Sequence, residues 1–190
     1  MSESNSFCAL TPAPTLAELN SLAQEFFDGT ARLMKFKSPH AQMLACGLKG
    51  IENRSWKLPN TEGRWILVVM SKSNPTRAAI QDTQNRLELQ GTTLNLAEYC
   101  EASKRFKGCI VGAVRVSSAT KSPSNATMWH NPPDWAWEVD RAIEFARPIP
   151  LDANDKFQIQ VRSSSRMQYF APLLERLSSY NEPAPANGES

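Results

Sequence analysis

Apolar and polar positions change period several times along this chain, and each change marks an element. In "TLAELNSLAQEFFDG" the apolar residues Leu16, Leu19, Leu22, Ala23, Phe26 and Phe27 recur at helical intervals. Thr15 and Glu18 stand in capping-box spacing, and Gly29 is the stop. "RLMKFK" mixes apolar and basic residues in an imperfect alternation that suits a half-buried strand, with Leu33 and Phe36 as packing candidates and Lys35 and Lys37 outward. "SPHAQMLACG" predicts a short helix with Ser38 as N-cap, Pro39 at the first helical position and Gly47 as a left-handed C-cap. "IENRSW" follows as a short strand or extended turn. The unbroken run in "GRWILVVMS" predicts a strand buried on both faces.

Two more helices are predicted next. One lies in "NPTRAAIQDTQNRLELQG", started at Asn74 before Pro75 and stopped at Gly91, and one in "NLAEYCEASKRF", capped by Asn95. "GCIVGAVRVSSA" is a strand that Gly108 and Gly112 allow to bend or bulge. After a polar loop, "WAWEVDRAIEFARPIP" predicts two strand segments, Trp135, Trp137 and Val139 sharing one face and Ile143 and Phe145 another. "FQIQV" predicts a last strand and "QYFAPLLERLSSY" a last helix. Short strands interrupted by helices, with no βαβ alternation and no internal repeat, predict an α+β domain around a small mixed or antiparallel barrel. The domain is expected over residues 15–180, with helical insertion 75–105, between polar tails at 1–14 and 181–190.

The composition suits one globular domain of 190 residues, with no run approaching the roughly 18 apolar residues of a membrane span. Without a basic, apolar leader the chain is expected in the cytoplasm or nucleus rather than secreted. Four scattered cysteines without a CxxC pair and two isolated histidines, His40 and His130, argue against a zinc site or a disulfide framework; neither metal nor cofactor is expected. Net charge is only +2, yet residues 31–72 carry eight basic residues against two acids. Such a local excess either attracts a polyanion or is a solvated face.

That basic region contains "CGLKGIENRSWKLP", whose pattern Gly47-x-Lys49-x-x-Glu52-x-Arg54 resembles the GxKxxExR signature of the ASCH domain, a branch of the PUA-like β-barrel superfamily. "GRWILV", "GAVRV" and the aromatic segment ending in a Pro-x-Pro turn are similar to further strands of that family, so the resemblance spans roughly 33–161. Family members often carry a glycine after that turn, and none follows here. The resemblance implies a PUA-like mixed β-barrel with flanking and inserted helices. It also implies nucleic-acid work, chiefly RNA binding, with some members hydrolysing RNA or an acetylated cytidine nucleoside.

On chemical grounds Gly47 permits a tight turn, Lys49 offers a charge for phosphate or for acid-base work, and Arg54 offers a bidentate phosphate fork. An extended 51–55 places Glu52 and Arg54 on one face, either flanking a ligand or simply paired with each other. Trp56 either packs at the barrel rim or stacks a base; Lys57 and Arg64 extend the positive charge. Trp135 and Trp137 are core or ligand contacts, and His130 a turn or site residue.

The expected partner is RNA or another single-stranded nucleic acid held in a basic groove. If the protein is an enzyme, Lys49 and Glu52 are the catalytic candidates, with Glu138 an alternative base. Acetylcytidine-hydrolysing relatives carry a threonine three residues after the motif lysine, where this chain has Glu52, so that activity lacks its hydroxyl. A protein-interaction module docking through the added helices is a further alternative.

Overall fold

Strand β3 (Arg64–Met70) shows why its sequence is apolar without a break. Trp65, Leu67 and Val69 enter one core cluster and Ile66, Val68 and Met70 another, on the opposite side of the sheet. The computed structural model describes residues 15–27, 32–57, 62–123 and 128–151. The predicted segments "FQIQV" and "QYFAPLLERLSSY" and both predicted tails lie outside them.

Five strands form one mixed sheet in the order β1 (Arg32–Phe36), β3, β4 (Cys109–Thr120), β5 (Trp135–Pro150), β2 (Ile51–Arg54). β1 runs parallel to β3 and every other pairing is antiparallel. Among the described residues the sheet curls into a half-barrel with β1 and β2 at its edges, open on one side where the sequence predicts a small barrel. Helices supply the rest of the α+β fold.

The two segments predicted in "WAWEVDRAIEFARPIP" are a single sixteen-residue strand with a bulge between Val139 and Arg141. One extra residue there reverses which face odd positions occupy. Trp137 and Val139 therefore point to the same cluster as Ala142, while Ile143 and Phe145 point to the other. A second irregularity, opposite Gly112 in β4, lets a helix approach the sheet. A Cβ at Gly112 would lie 2.3 Å from the Ile143 carbonyl oxygen and 2.7 Å from the Ala45 Cβ.

That helix, α2 (His40–Ala45), fills the concave face with Ala41, Leu44 and Ala45. It starts one residue later than predicted. Pro39, not Ser38, is its N-cap and makes no side-chain cap, and the Ser38–Pro39 peptide is cis. The Ser38 hydroxyl is buried instead, accepting from Gln42 Nε2 at 3.0 Å and lying 3.7 Å from the Cys100 sulfur. A side chain engaged by tertiary partners is not available to the helix end.

Helix α1 (Leu16–Phe27) covers the convex face through Leu22. Its capping box forms as predicted, the Thr15 N–H donating to Glu18 Oε2 at 2.7 Å and the Glu18 N–H to Thr15 Oγ1 at 3.3 Å. Glu18 also pairs with Arg115 and Arg141, and Glu25 accepts the Trp65 N–H, fastening the helix to three strands.

The insertion between β3 and β4 holds α3 (Arg77–Leu89) and α4 (Leu96–Ser103), with a 3-10 turn at Lys104–Phe106. Thr76, rather than Asn74, caps α3 by accepting the Ala79 N–H; Asn74 takes the Lys107 ammonium instead. Asn95 caps α4 as predicted. Both helices pack beside α2 and β2 in a third cluster containing Met43, Leu48, Ile51, Leu87, Leu96 and Trp129. Among the described residues, no helix is long and apolar enough to cross a membrane.

Candidate functional site at the open edge of the sheet

The GxKxxExR segment runs from the end of α2 into β2. Gly47 has φ 75°, the left-handed value expected of it, and lets the Lys49 N–H reach back to the Met43 carbonyl at 2.9 Å. The reversal turns Lys49 inward. It is 3% exposed, its ammonium 2.5 Å from Glu52 Oε2 and 6.0 Å from the centre of the Trp129 ring. Lys49 is therefore no surface phosphate ligand; it fixes the position of Glu52.

Glu52 and Arg54 share one face of β2, as an extended backbone requires, opposite Trp137 and Trp135 of β5. Glu52, 9% exposed, holds Lys49 with one oxygen and approaches Arg54 Nε at 3.1 Å with the other. The Arg54 guanidinium lies 4.9 Å from the Phe36 ring and 5.5 Å from the Trp137 ring. Its Nη2 donates to the Lys35 carbonyl at 3.3 Å. Phe36 and Lys35 belong to β1, so this one side chain spans the gap between the two edges of the described sheet. Strand pairing is replaced there by a cation stacked on aromatic rings.

A cavity of about 280 Å³ opens at the gap, lined by Lys35, Lys37, His40, Glu52, Arg54 and Ser71. Only Glu52 and Arg54 were legible as site residues in the sequence. The pattern of β1 put Lys35 and Lys37 outward, but that β1 would be an edge of the described sheet facing β2 has no local signal. His40 and Ser71 arrive through the start of α2 and the end of β3. Burial pushes the His40 imidazole down to about 4, with the Lys49 charge acting in the same direction, so the ring is neutral near pH 7. Its Nδ1 is buried and makes no hydrogen bond among the described residues.

The remaining candidates separate. Trp56 sits at the rim, 39% exposed, with its ring edge-on to Trp137 at 4.9 Å. Trp137 is core, whereas Trp135 is half-buried with Lys57 and Lys121 each 5.6 Å from its ring centre. Arg64 stands at the opposite end of β3 from Ser71, about 23 Å away at strand rise, close to Glu25 of α1. It does not extend the groove.

Glu138 pairs with Ile51 rather than Glu52, which puts it on the other face of β5, where Ser118 donates to it. It cannot act as a base in this cavity. Among the described residues His130 approaches only the Asp134 carbonyl, at 3.4 Å, within a loop held by Asn53 through the Trp129 carbonyl and the Asn131 N–H. No protein-family model and no curated protein matches the chain.

Proposed function

We propose that this chain is an ASCH-type, PUA-like domain that binds RNA or another single-stranded nucleic acid at the open edge of its sheet. The observation carrying this reading is the convergence of Lys35, Lys37 and Arg54 on one small cavity that also presents Glu52, Ser71 and a neutral His40. Cations there meet phosphate oxygens, while the carboxylate, hydroxyl and imidazole offer the mixed donors and acceptors a base edge needs. At about 280 Å³ the cavity is at the small end of ligand sites, a size for one nucleoside. The ASCH assignment is supported by the part the motif plays: Lys49 and Glu52 brace Arg54 at the cavity wall.

The test is binding of a labelled single-stranded RNA pool to wild type and to Lys35→Ala/Lys37→Ala, two exposed positions, across a salt series. Binding that weakens with salt, with a slope shallower by about 1.4 in the variant for two lost phosphate contacts, supports the reading. No wild-type binding, or equal slopes, overturns it.

A hydrolase is the second reading, favoured by a neutral imidazole and a carboxylate in one cavity. Shortening of the RNA that depends on His40 and Glu52 would establish it. The acetylcytidine reaction is disfavoured because Glu52, clamped by Lys49 and Arg54, stands where its hydroxyl would be needed.

A further inference from the structure

Beyond the cavity, at the same end of β5, two lysines converge on one indole. Lys57 follows β2 and Lys121 follows β4, strands that flank β5 on either side, and each ammonium lies 5.6 Å from the Trp135 ring centre. The two charges are thus at most about 11 Å apart, near the ~8–10 Å screening length of physiological salt, and they repel.

Among the described residues neither has an ion-pair partner. Nor does the local sequence supply one: residues 53–61 and 117–133 contain no Asp or Glu. Asp134, beside Trp135, makes no ion pair with either lysine. Among the described residues, this converging pair of cations on a half-buried aromatic ring meets no carboxylate.

Its position relative to the cavity suggests which anion. Trp135 is the cross-strand partner of Arg54, with Cβ atoms about 5 Å apart in such a pair. Trp56, exposed on its outer side, lies in sequence between Arg54 and Lys57. A chain of alternating phosphates and bases leaving the cavity past Arg54 would meet an aromatic surface and then the lysine pair.

We propose that Lys57 and Lys121 form a second anion site at Trp135, taking the phosphate of the nucleotide next to the one in the cavity. The ligand is then a single strand of at least two nucleotides rather than a free nucleoside. This rests on the nucleic-acid reading above and adds to it the class of ligand.

The test compares an equimolar mixture of nucleoside monophosphates with a random-sequence 8-nucleotide RNA pool. Both are measured on wild type, Lys57→Ala/Lys121→Ala, Lys57→Arg/Lys121→Arg, and a control, Lys104→Ala/Arg105→Ala, that removes the same charge near the other end of β4. The alanine pair should lower 8-mer affinity about tenfold at low salt and flatten its salt slope by about 0.7, the value for the one phosphate the site takes. Mononucleotide affinity should not change, the arginine pair should bind as wild type, and the control should move neither quantity.

Unchanged 8-mer affinity and slope in the alanine pair would overturn the second site. So would a loss of equal size in the control, or polyglutamate of matched charge binding wild type as tightly as RNA. If wild type binds mononucleotides but the 8-mer no tighter, the second site alone falls. If it binds neither, the nucleic-acid reading falls with it.

Discussion

His40 ties the electrostatics of the cavity to the stability of the fold. In the unfolded chain an imidazole titrates near 6.5, whereas in the folded protein burial and the Lys49 charge hold it at about 4; Arg86 pushes the same way, and Glu52 and Asp82 oppose. Between those values the unfolded state binds a proton that the folded state refuses, so stability rises with pH across the window and falls on acidification. The full shift corresponds to about 3 kcal/mol, an upper figure because water still reaches part of the ring. Urea unfolding of wild type and His40→Gln from pH 7.5 to pH 4, followed by fluorescence of the buried Trp65, Trp129 and Trp137, reads it directly. Wild-type stability should drop by up to about 3 kcal/mol more than the variant's over that range. The raised Glu25 has the opposite sign but is common to both proteins and cancels in the comparison. Parallel pH profiles would refute the reasoning, whatever the constant offset caused by the substitution.

Three further outcomes follow from the same geometry. Glu52→Gln, which strands a buried lysine, should cost on the order of 3–5 kcal/mol by urea unfolding, whereas Lys49→Met should cost clearly less, because Arg54 still compensates Glu52; equal costs would mean that Glu52 is not shared between the two cations. Gly112→Ala should destabilise by more than about 3 kcal/mol, as its Cβ meets backbone at 2.3 Å and α2 at 2.7 Å, and a melting temperature within a degree or two of wild type would contradict the packing of α2 on β4. Burial raises the thiols of Cys100 and Cys109 and pushes Cys46 up to about 12, so maleimide labelling of these three at pH 8 should be slow in the native protein and rapid in urea; fast native labelling of Cys46 would place it at the surface.

Much of the architecture was legible wherever the physics is local. The Thr15–Glu18 capping box, the Asn95 cap, the positive φ at Gly47 and the doubly buried β3 depend on residues a few positions apart or on one strand's own composition. The readings that failed were those in which a distant partner competed for a group. Ser38 was drawn to Cys100 besides Gln42 of its own helix, and Asn74 to Lys107. The bulge at Asp140 joined two predicted segments into one strand by changing face without ending the ladder.

The same division runs through the candidate site. Period-two geometry was enough to put Glu52 and Arg54 on one face, and the spacing in GxKxxExR was enough to single out Lys49. Whether Lys49 points to water or inward, whether Glu138 faces the cavity, and that Lys35, Lys37, His40 and Ser71 meet there were decided by tertiary structure. Side-chain period is a property of one segment. A cavity between two edges is a property of the strand order that, among the described residues, puts β1 and β2 at opposite ends of the sheet, and of the arginine that bridges them.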